Sequence, residues 1–337
     1  MPWPQAGGAI LPKSLRVRMD ARHSIGLVVF MLAYVLRRFA GAVPTIFIIV
    51  TIAFFMIRLA PGGPFDLERP IDPLIMENLN RAYHFDKPLW HQYLIYLGNL
   101  LRGDLGPSFT RRDFTVGELF RTGLPVSIML GGTAIAIALV LGTLLGAIAA
   151  LRQNSWVDYA VVGTATLGIT VPTFIIAPLL SLVFGVMLGV LPAGGWDGGS
   201  FRNMVLPVAT LALPQIAIIA RLTRGATIEA LRSNHVRTAR AYGLPPFVVV
   251  VVHTLRAAIL PVVSYLGPTA AALLTGSVVV ETVFGIPGIG RYFVQGAIGR
   301  DYTLVMGTVV VVAIFVLVFN LVVDILYAWL DPRVRYD

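Results

Sequence analysis

Glu281 and Asp324 lie inside long apolar runs, the costliest place to keep a carboxylate. A carboxylate there marks a solute or proton pathway, or it caps a helix end or bonds to a neighbouring helix. Other titratable residues inside apolar runs are few, which weighs against a proton relay and favours the capping or pairing role. The five histidines, His23, His84, His91, His235 and His253, sit in tails and loops. None has the H-x-x-x-H or H-E-x-x-H spacing that places two imidazoles on one helix face, so no metal site is expected. The chain has no Cys, which removes disulfides, thiolate metal sites, iron–sulfur clusters and Cys nucleophiles together. Gly7-x-x-x-x-Pro12-Lys13-Ser14 has the outline of a phosphate-binding loop, but proline stands where the second glycine belongs. Proline offers no N–H to a phosphate and cannot take up the glycine conformation. With Lys13 and Lys87 the only lysines, the chain carries no nucleophile–base, metal or nucleotide set. It is read as non-catalytic, with no cofactor of its own.

The elements that position these residues follow from composition. Of 337 residues, 57% are hydrophobic and 13% charged, with mean hydropathy +0.81. Soluble domains carry roughly 25% charged residues, and so few charges cannot solvate the surface of a water-soluble fold this size. The chain reads as an all-α polytopic membrane protein. Its net charge of +9 comes from arginines lying between apolar runs, a pattern that sets topology rather than one that binds nucleic acid.

A basic N-terminal stretch leads into a 12-residue apolar run, Ile25 to Leu36, too short to cross a hydrocarbon core of roughly 30 Å. Arg37-Arg38 splits it from the longer apolar run beginning at Phe39, so it reads as an interfacial helix feeding the first span rather than a cleaved signal. Met31 is an alternative start. Span one is Phe39 to Ala60. Residues 61–121, with 15 acidic and basic residues in near balance, form a polar insertion with short helices, one suggested by Trp90, Tyr93, Leu94 and Leu97. Span two is Leu124 to Leu151, where Gly131, Gly132, Gly142 and Gly146 suit close helix packing. The 35 residues from Val157 to Leu191 are too many for one span and too few for two; Pro172 divides them into a flanking helix and span three. Span four, Met204 to Ala220, is short and interrupted by Pro207 and Pro214. Spans five and six run from Ile259 to Val283 and from Leu304 to Leu330.

Arginine placement supports six spans. With the N-terminus inside, cytoplasmic segments hold fifteen of the 26 basic residues, and the short outside segments hold only Arg202, Arg291 and Arg300. The long 61–121 insertion is not counted, because long loops translocate largely regardless of charge. Both termini are expected in the cytoplasm.

Between spans four and five, residues 221–258 carry six arginines. Helix formers from Val236 to Tyr242 are stopped by Gly243 and by Pro245-Pro246. A short, basic, small-residue helix hung between two spans is shaped to enter a groove on another protein.

The run Arg237-Thr-Ala-Arg-Ala-Tyr-Gly243-Leu-Pro resembles the EAA loop of binding-protein-dependent ABC importer permeases, in the form carried by dipeptide and oligopeptide permeases. The resemblance extends from about Ala33 to Tyr336. It takes in Leu59-Ala-Pro-Gly-Gly-Pro, Leu101-Arg-Gly-Asp-Leu-Gly-Pro-Ser-Phe109, Val171-Pro-Thr-Phe, Leu206-Pro-Val-Ala-Thr-Leu and Ala220-Arg-Leu-Thr-Arg224. It continues through Val280-Glu-Thr-Val-Phe-Gly-Ile-Pro-Gly-Ile-Gly-Arg291, Arg300-Asp-Tyr and Leu330-Asp-Pro-Arg-Val-Arg-Tyr. Arg237-Thr238-Ala239 replaces the general Glu-Ala-Ala, which places the chain in the peptide/nickel branch. The closing I-x-L-P reads His253-Thr-Leu255-Arg256.

The resemblance implies a six-helix, N-in/C-in permease of the type I ABC importer fold in the inner membrane. Its implied divisions are an N-terminal tail, 1–32; a first span with its extracytoplasmic insertion, 33–121; a five-helix core, 122–330; and a tail, 331–337. Implied partners are a homologous second permease, two cytoplasmic ATPase subunits that bind the ATP and Mg²⁺, and a substrate-binding protein. The implied cargo is di- or oligopeptide, with nickel, glutathione or another peptide-like solute as alternatives. A stand-alone secondary transporter is the remaining reading from a different class. Arg237, Thr238, Ala239, Arg240, Ala241, Tyr242, Gly243 and Leu244 would form the coupling helix, with Ala239 and Ala241 allowing close seating. Gly285, Pro287, Gly288, Gly290 and Arg291 would face the binding protein.

Overall fold

The computed structural model describes residues 37–38, 40–63, 73–111 and 113–330. The interfacial helix expected before span one and the tail from 331 lie outside the described residues. The chain divides into two compact units, 1–48 and 49–337. In the first, the described residues are helical. The second holds the helical core.

Helix α1 is Ala40–Leu59. Two short helices follow in the polar insertion, α2 (Pro73–Ala82) and α3 (Leu89–Leu101), the second where the Trp90–Leu97 spacing places it. Helix α4 (Val116–Leu151) starts eight residues before the expected span. Its start is a reciprocal cap. The Glu118 N–H donates to Thr115 Oγ1 at 3.2 Å and the Thr115 N–H to Glu118 Oε2 at 2.8 Å, satisfying two end donors at once. A window tuned to hydropathy passes over these polar turns.

At Val171-Pro172 the chain bends by 100° between α5 (Trp156–Thr170) and α6 (Thr173–Met187). Proline removes a helix N–H and disfavours helical geometry in the residue before it, and the break falls where the sequence placed it. The second half is shorter than expected, 15 residues or about 22 Å of helix. It ends in a π-helical stretch, Ser181–Met187.

Helix α7 (Phe201–Arg232) corrects the sequence reading most. It is one continuous helix of 32 residues, about 48 Å at 1.5 Å per residue, and neither Pro207 nor Pro214 ends it. Prolines are tolerated where neighbouring helices hold the backbone, and α7 packs against α4 along its length. Residues 221–232, expected in a cytoplasmic loop, are its last three turns. Helix α8 (Asn234–Ala241) comes after one extended residue, Ser233. Helix α9 (Pro246–Ala258) returns through a π-helical turn, where Thr254 Oγ1 donates to the Val249 carbonyl at 3.0 Å.

Span five is interrupted, not continuous. Helix α10 (Leu260–Leu274) stops, Gly276 takes φ +98°, and α11 (Val278–Val283) resumes. Helix α12 (Ile289–Ile298) and the long α13 (Tyr302–Leu330) complete the described fold. Among the described residues, α1, α4, α7, α13 and the α10–α11 segment taken together (Leu260–Val283) are long and apolar enough to cross a membrane, and the α5–α6 pair supplies a sixth when counted as one span.

Three of the four singled-out glycines set helix separations. A Cβ on Gly142 would lie 2.8 Å from Ile219 Cβ, and one on Gly146 would be 2.7 Å from Thr223 Cβ, so both let α4 and α7 touch backbone to backbone. Gly131 does the same against the Leu273 carbonyl of α10. Gly132 faces only Leu274 at ordinary contact distance.

Candidate functional site

Helix α8 hangs beyond α7 on its own small core. Val236, Ala239 and Val249 of α9 are buried against one another. His235 Nδ1 meets Ser233 Oγ at 3.0 Å and its Nε2 meets the His253 carbonyl at 3.1 Å, tying α8 to both flanking elements. The outward face is Arg237, Thr238, Arg240 and Ala241, with Tyr242 82% exposed. Ala239 therefore packs inward, and only Ala241 of the two alanines leaves room for a partner. The helix ends in a loop-back onto its own last carbonyls. Gly243 sits at φ +76°, its N–H donates to the Arg240 carbonyl at 2.9 Å, and the Leu244 N–H donates to the Ala239 carbonyl at 3.3 Å. Phe247, 76% exposed, extends the face past Pro245-Pro246. Sequence reading missed it, though an aromatic directly after a helix stop was the available signal.

Above α8, Arg224 of α7 makes a two-pronged ion pair with Asp158 of α5. Nε reaches Oδ1, and Nη2 donates to Oδ2 at 2.7 Å. Asp158 is buried and also accepts the Asn154 N–H at 2.9 Å. The pair clips the α4–α5 turn to the helix that carries α8. Asp158→Asn should cost about 2 kcal/mol, the worth of charged hydrogen bonds, and lower the unfolding temperature by roughly 5 °C. Thermal unfolding in detergent measures it, and an unchanged midpoint would show that the pair contributes nothing to the fold.

At the opposite end of the bundle, the chain from α11 to α12 folds inward. Glu281 is fully buried. Its Oε1 accepts Ser127 Oγ–H at 2.7 Å, and its Oε2 accepts the Arg291 N–H at 3.2 Å. Ser127 Oγ in turn accepts the Ile289 N–H at 3.0 Å. Phe284, Ile286 and Ile289 are buried beside it. Of the five residues expected to face a binding protein, Gly288 and Gly290 are buried, Pro287 and Arg291 are half-buried, and only Gly285 is exposed. A Cβ on Gly288 would overlap the Glu281 carboxylate, and one on Gly276 would stand 2.6 Å from its Oε1. These glycines seat a loop on a carboxylate. Asp324 is half-buried some 22 residues along α13, about 33 Å from that helix's start at 1.5 Å per residue, so the two intramembrane acids do not form one cluster.

Beside this loop, the sequence runs around 104–109 and 300–303 converge. Asp301 is fully buried, and its Oδ2 accepts Ser108 Oγ–H at 2.5 Å, the Thr110 N–H at 3.0 Å and Thr110 Oγ1–H at 2.9 Å. Its Oδ1 accepts Thr303 Oγ1–H at 2.9 Å and the Leu304 N–H at 3.0 Å, capping α13. Tyr302 donates to the Gly62 carbonyl at 3.0 Å, and the Arg58 guanidinium stands over Phe54 at 4.1 Å, Phe85 at 5.4 Å and Tyr302 at 5.7 Å. No group of three or more His, Asp or Glu able to hold a metal occurs among the described residues.

A bundle of apolar helices, with a small exposed basic helix at one end and a clamped loop at the other, is the architecture of a multi-pass membrane protein. The family model described as "Binding-protein-dependent transport system inner membrane component" matches residues 142–336, and its N-terminal companion matches residues 31–127. The chain belongs to this family and is a multi-pass inner-membrane component of a transport system. It is 49% identical over 306 residues to the oligopeptide transport system permease protein OppB of Haemophilus influenzae, covering 91% of this chain and all of the relative. The OppB of Escherichia coli K12 matches with the same identity and coverage. The dipeptide transport system permease protein DppB of Bacillus subtilis is 44% identical over 305 residues, covering 90% of this chain and 98% of the relative.

Proposed function

We propose that this chain is one half of the translocation pore of an ATP-driven, binding-protein-dependent importer of di- and oligopeptides. Its near full-length similarity to relatives named for oligopeptide and dipeptide transport supports the cargo. Its partners are a homologous second permease, two ATPase subunits that bind ATP and Mg²⁺, and an extracytoplasmic substrate-binding protein. Both termini and α8 lie on the cytoplasmic side, and the insertion between α1 and α4 lies outside, as the arginine distribution favours.

The observation that carries the coupling role is the outward face of α8. Arg237, Thr238, Arg240, Ala241 and Tyr242 are exposed on a helix whose inner face is anchored by Val236 and Ala239. Gly243 fixes where the helix ends, and Leu244 leads into Phe247. Such a helix seats in a cleft of an ATPase subunit and passes ATPase closure to α7, so that the paired permeases rock as rigid bodies between inward- and outward-facing states.

Co-expression of the permease pair and ATPases, with recovery of ATPase on the tagged permease, tests this. A β-branched residue at φ +76° costs about 1–2 kcal/mol locally. Gly243→Val should therefore leave the chain folded while ATPase recovery and peptide uptake fall about tenfold, the equivalent of 1.4 kcal/mol at the interface. A chain that purifies alone and moves peptide without ATP would overturn the reading. Full ATPase recovery with Gly243→Val would remove α8 as the docking element.

A further inference from the structure

Helix α3 of the insertion is turned inside out for a helix in water. Its exposed residues include Trp90 at 62%, Leu94 at 57% and Leu101 at 89%. With half-buried Leu97 they follow at steps of four, three and four residues, one stripe within roughly 60° of arc at 3.6 residues per turn. The polar residues point the other way. Gln92 is buried with its amide nitrogen on the Lys87 carbonyl at 2.7 Å, and Gln92, Tyr96 and Asn99 line a cavity of about 230 Å³ together with Arg58. Residues 89–101 carry no charge, whereas Asp86 and Lys87 precede them and Arg102 and Asp104 follow. Helix α2, in the same insertion, exposes Glu77, Asn78 and Arg81 in the ordinary manner. Single exposed apolar residues are common, but a continuous stripe of them marks contact with something other than water.

The depth of α3 says what that is. Tyr93 Oη and Thr51 Oγ1 share a hydrogen bond at 2.5 Å, and the Phe54 ring packs on Tyr93 and Tyr96 at centroid distances of 5.2 and 5.5 Å. Thr51 and Phe54 precede Leu59, the last residue of α1, by eight and five residues. At 1.5 Å per residue the middle of α3 therefore meets α1 about 8–12 Å inside that end, which is hydrocarbon depth for a core roughly 30 Å thick. At the same level α1 exposes a stripe of the same kind, Ile49, Ile52, Met56 and Leu59. A soluble protein docks at the membrane surface and does not reach this depth.

We propose that α3 is a lipid-binding element, embedded in the leaflet at the Leu59 end of α1 with Trp90, Leu94, Leu97 and Leu101 against acyl chains. That leaflet is the outer one in the orientation proposed above, and only this detail rests on that reading. Burial in lipid satisfies both faces at once: the stripe meets hydrocarbon, and Gln92, Tyr96 and Asn99 keep to the protein interior. The charges at 86–87 and 102–104 mark where the chain enters and leaves the leaflet. The insertion is thus moored in the bilayer, and its loop at 104–111, which Asp301 clamps, begins where α3 emerges.

The test uses the complete transporter complex in nanodiscs of phosphatidylethanolamine and phosphatidylglycerol. Because the chain has no cysteine, Trp90→Cys, Leu94→Cys and Glu77→Cys each carry a nitroxide label at one site. Relaxation of the label by oxygen, which concentrates among acyl chains, is compared with relaxation by a water-soluble nickel chelate. Trp90→Cys and Leu94→Cys should respond several-fold more to oxygen than to nickel, and Glu77→Cys the reverse. Nickel dominating at both α3 positions would place the stripe in water and overturn the proposal. Low response to both reagents would show it covered by protein, the second permease or the binding protein, and would overturn it equally. A readout free of labels is quenching by phospholipids with brominated chains, which should remove more fluorescence from the unmodified complex than from its Trp90→Phe variant; equal quenching would count against the proposal. Peptide uptake by the unmodified complex is measured alongside, so that a stripe found in water or under protein leaves the transport reading standing.

Discussion

Replacing Glu281 with leucine is expected to lower the unfolding temperature by roughly 10 °C, the equivalent of about 3–5 kcal/mol. The two side chains are close in size, so the effect comes from polarity. Leucine leaves the Ser127 hydroxyl and the Arg291 N–H buried without the acceptor that Glu281 supplies at 2.7 and 3.2 Å. Each orphaned group carries its own desolvation cost, and an apolar surrounding offers no water to repair it. Glu281→Gln keeps one acceptor oxygen and should lose about 1 kcal/mol. Ser127→Ala should fall between them, because Ser127 relays the clamp to the Ile289 N–H at 3.0 Å. Thermal unfolding of the three variants in one detergent gives the ranking. A leucine variant that melts within a degree of wild type would mean the loop is held by the packing of Phe284, Ile286 and Ile289 alone.

Asp301→Ala should have an effect of similar size, about 3–5 kcal/mol, through a different route. Five donors converge on this carboxylate: three from Ser108 and Thr110, and two from the first turn of α13. Loss of the helix cap accounts for about 1 kcal/mol, and the stranded hydroxyls and amides account for the rest. Because the bonds to Ser108 and Thr110 span more than 190 residues of chain, the loop around 104–111 should open before the bundle does. Limited proteolysis should cut the variant in that loop at a temperature where wild type is intact. Cleavage at the same rate in both would show that the Thr303–Pro107 bond and the aromatic contacts of Phe109 suffice to hold it.

The membrane class, the number of apolar segments, the bend at Pro172 and the stop at Gly243 were legible because each is a local property. Hydropathy is summed over neighbours, and a proline or a left-handed glycine acts on its own backbone. Boundaries were less legible where the physics was not local. The start of α4 depended on a capping pair at Thr115 and Glu118. The survival of α7 through Pro207 and Pro214 depended on its neighbour α4, because a proline ends a helix only where nothing else holds the freed backbone. Gly276, which interrupts span five, gives no sign in the apolar run around it.

The same division runs through the site. From residue order alone came an exposed, basic α8 of fixed length and a short inventory of intramembrane acids. Which face of α8 is free was a tertiary outcome, since Val236 and Ala239 had to find Val249 before Arg237, Arg240 and Tyr242 could point away. The partners of Asp158, Glu281 and Asp301 lie 66, 154 and 193 residues distant. A carboxylate announces in the sequence only that burying it is costly; which donors offset that cost is decided when the helices pack.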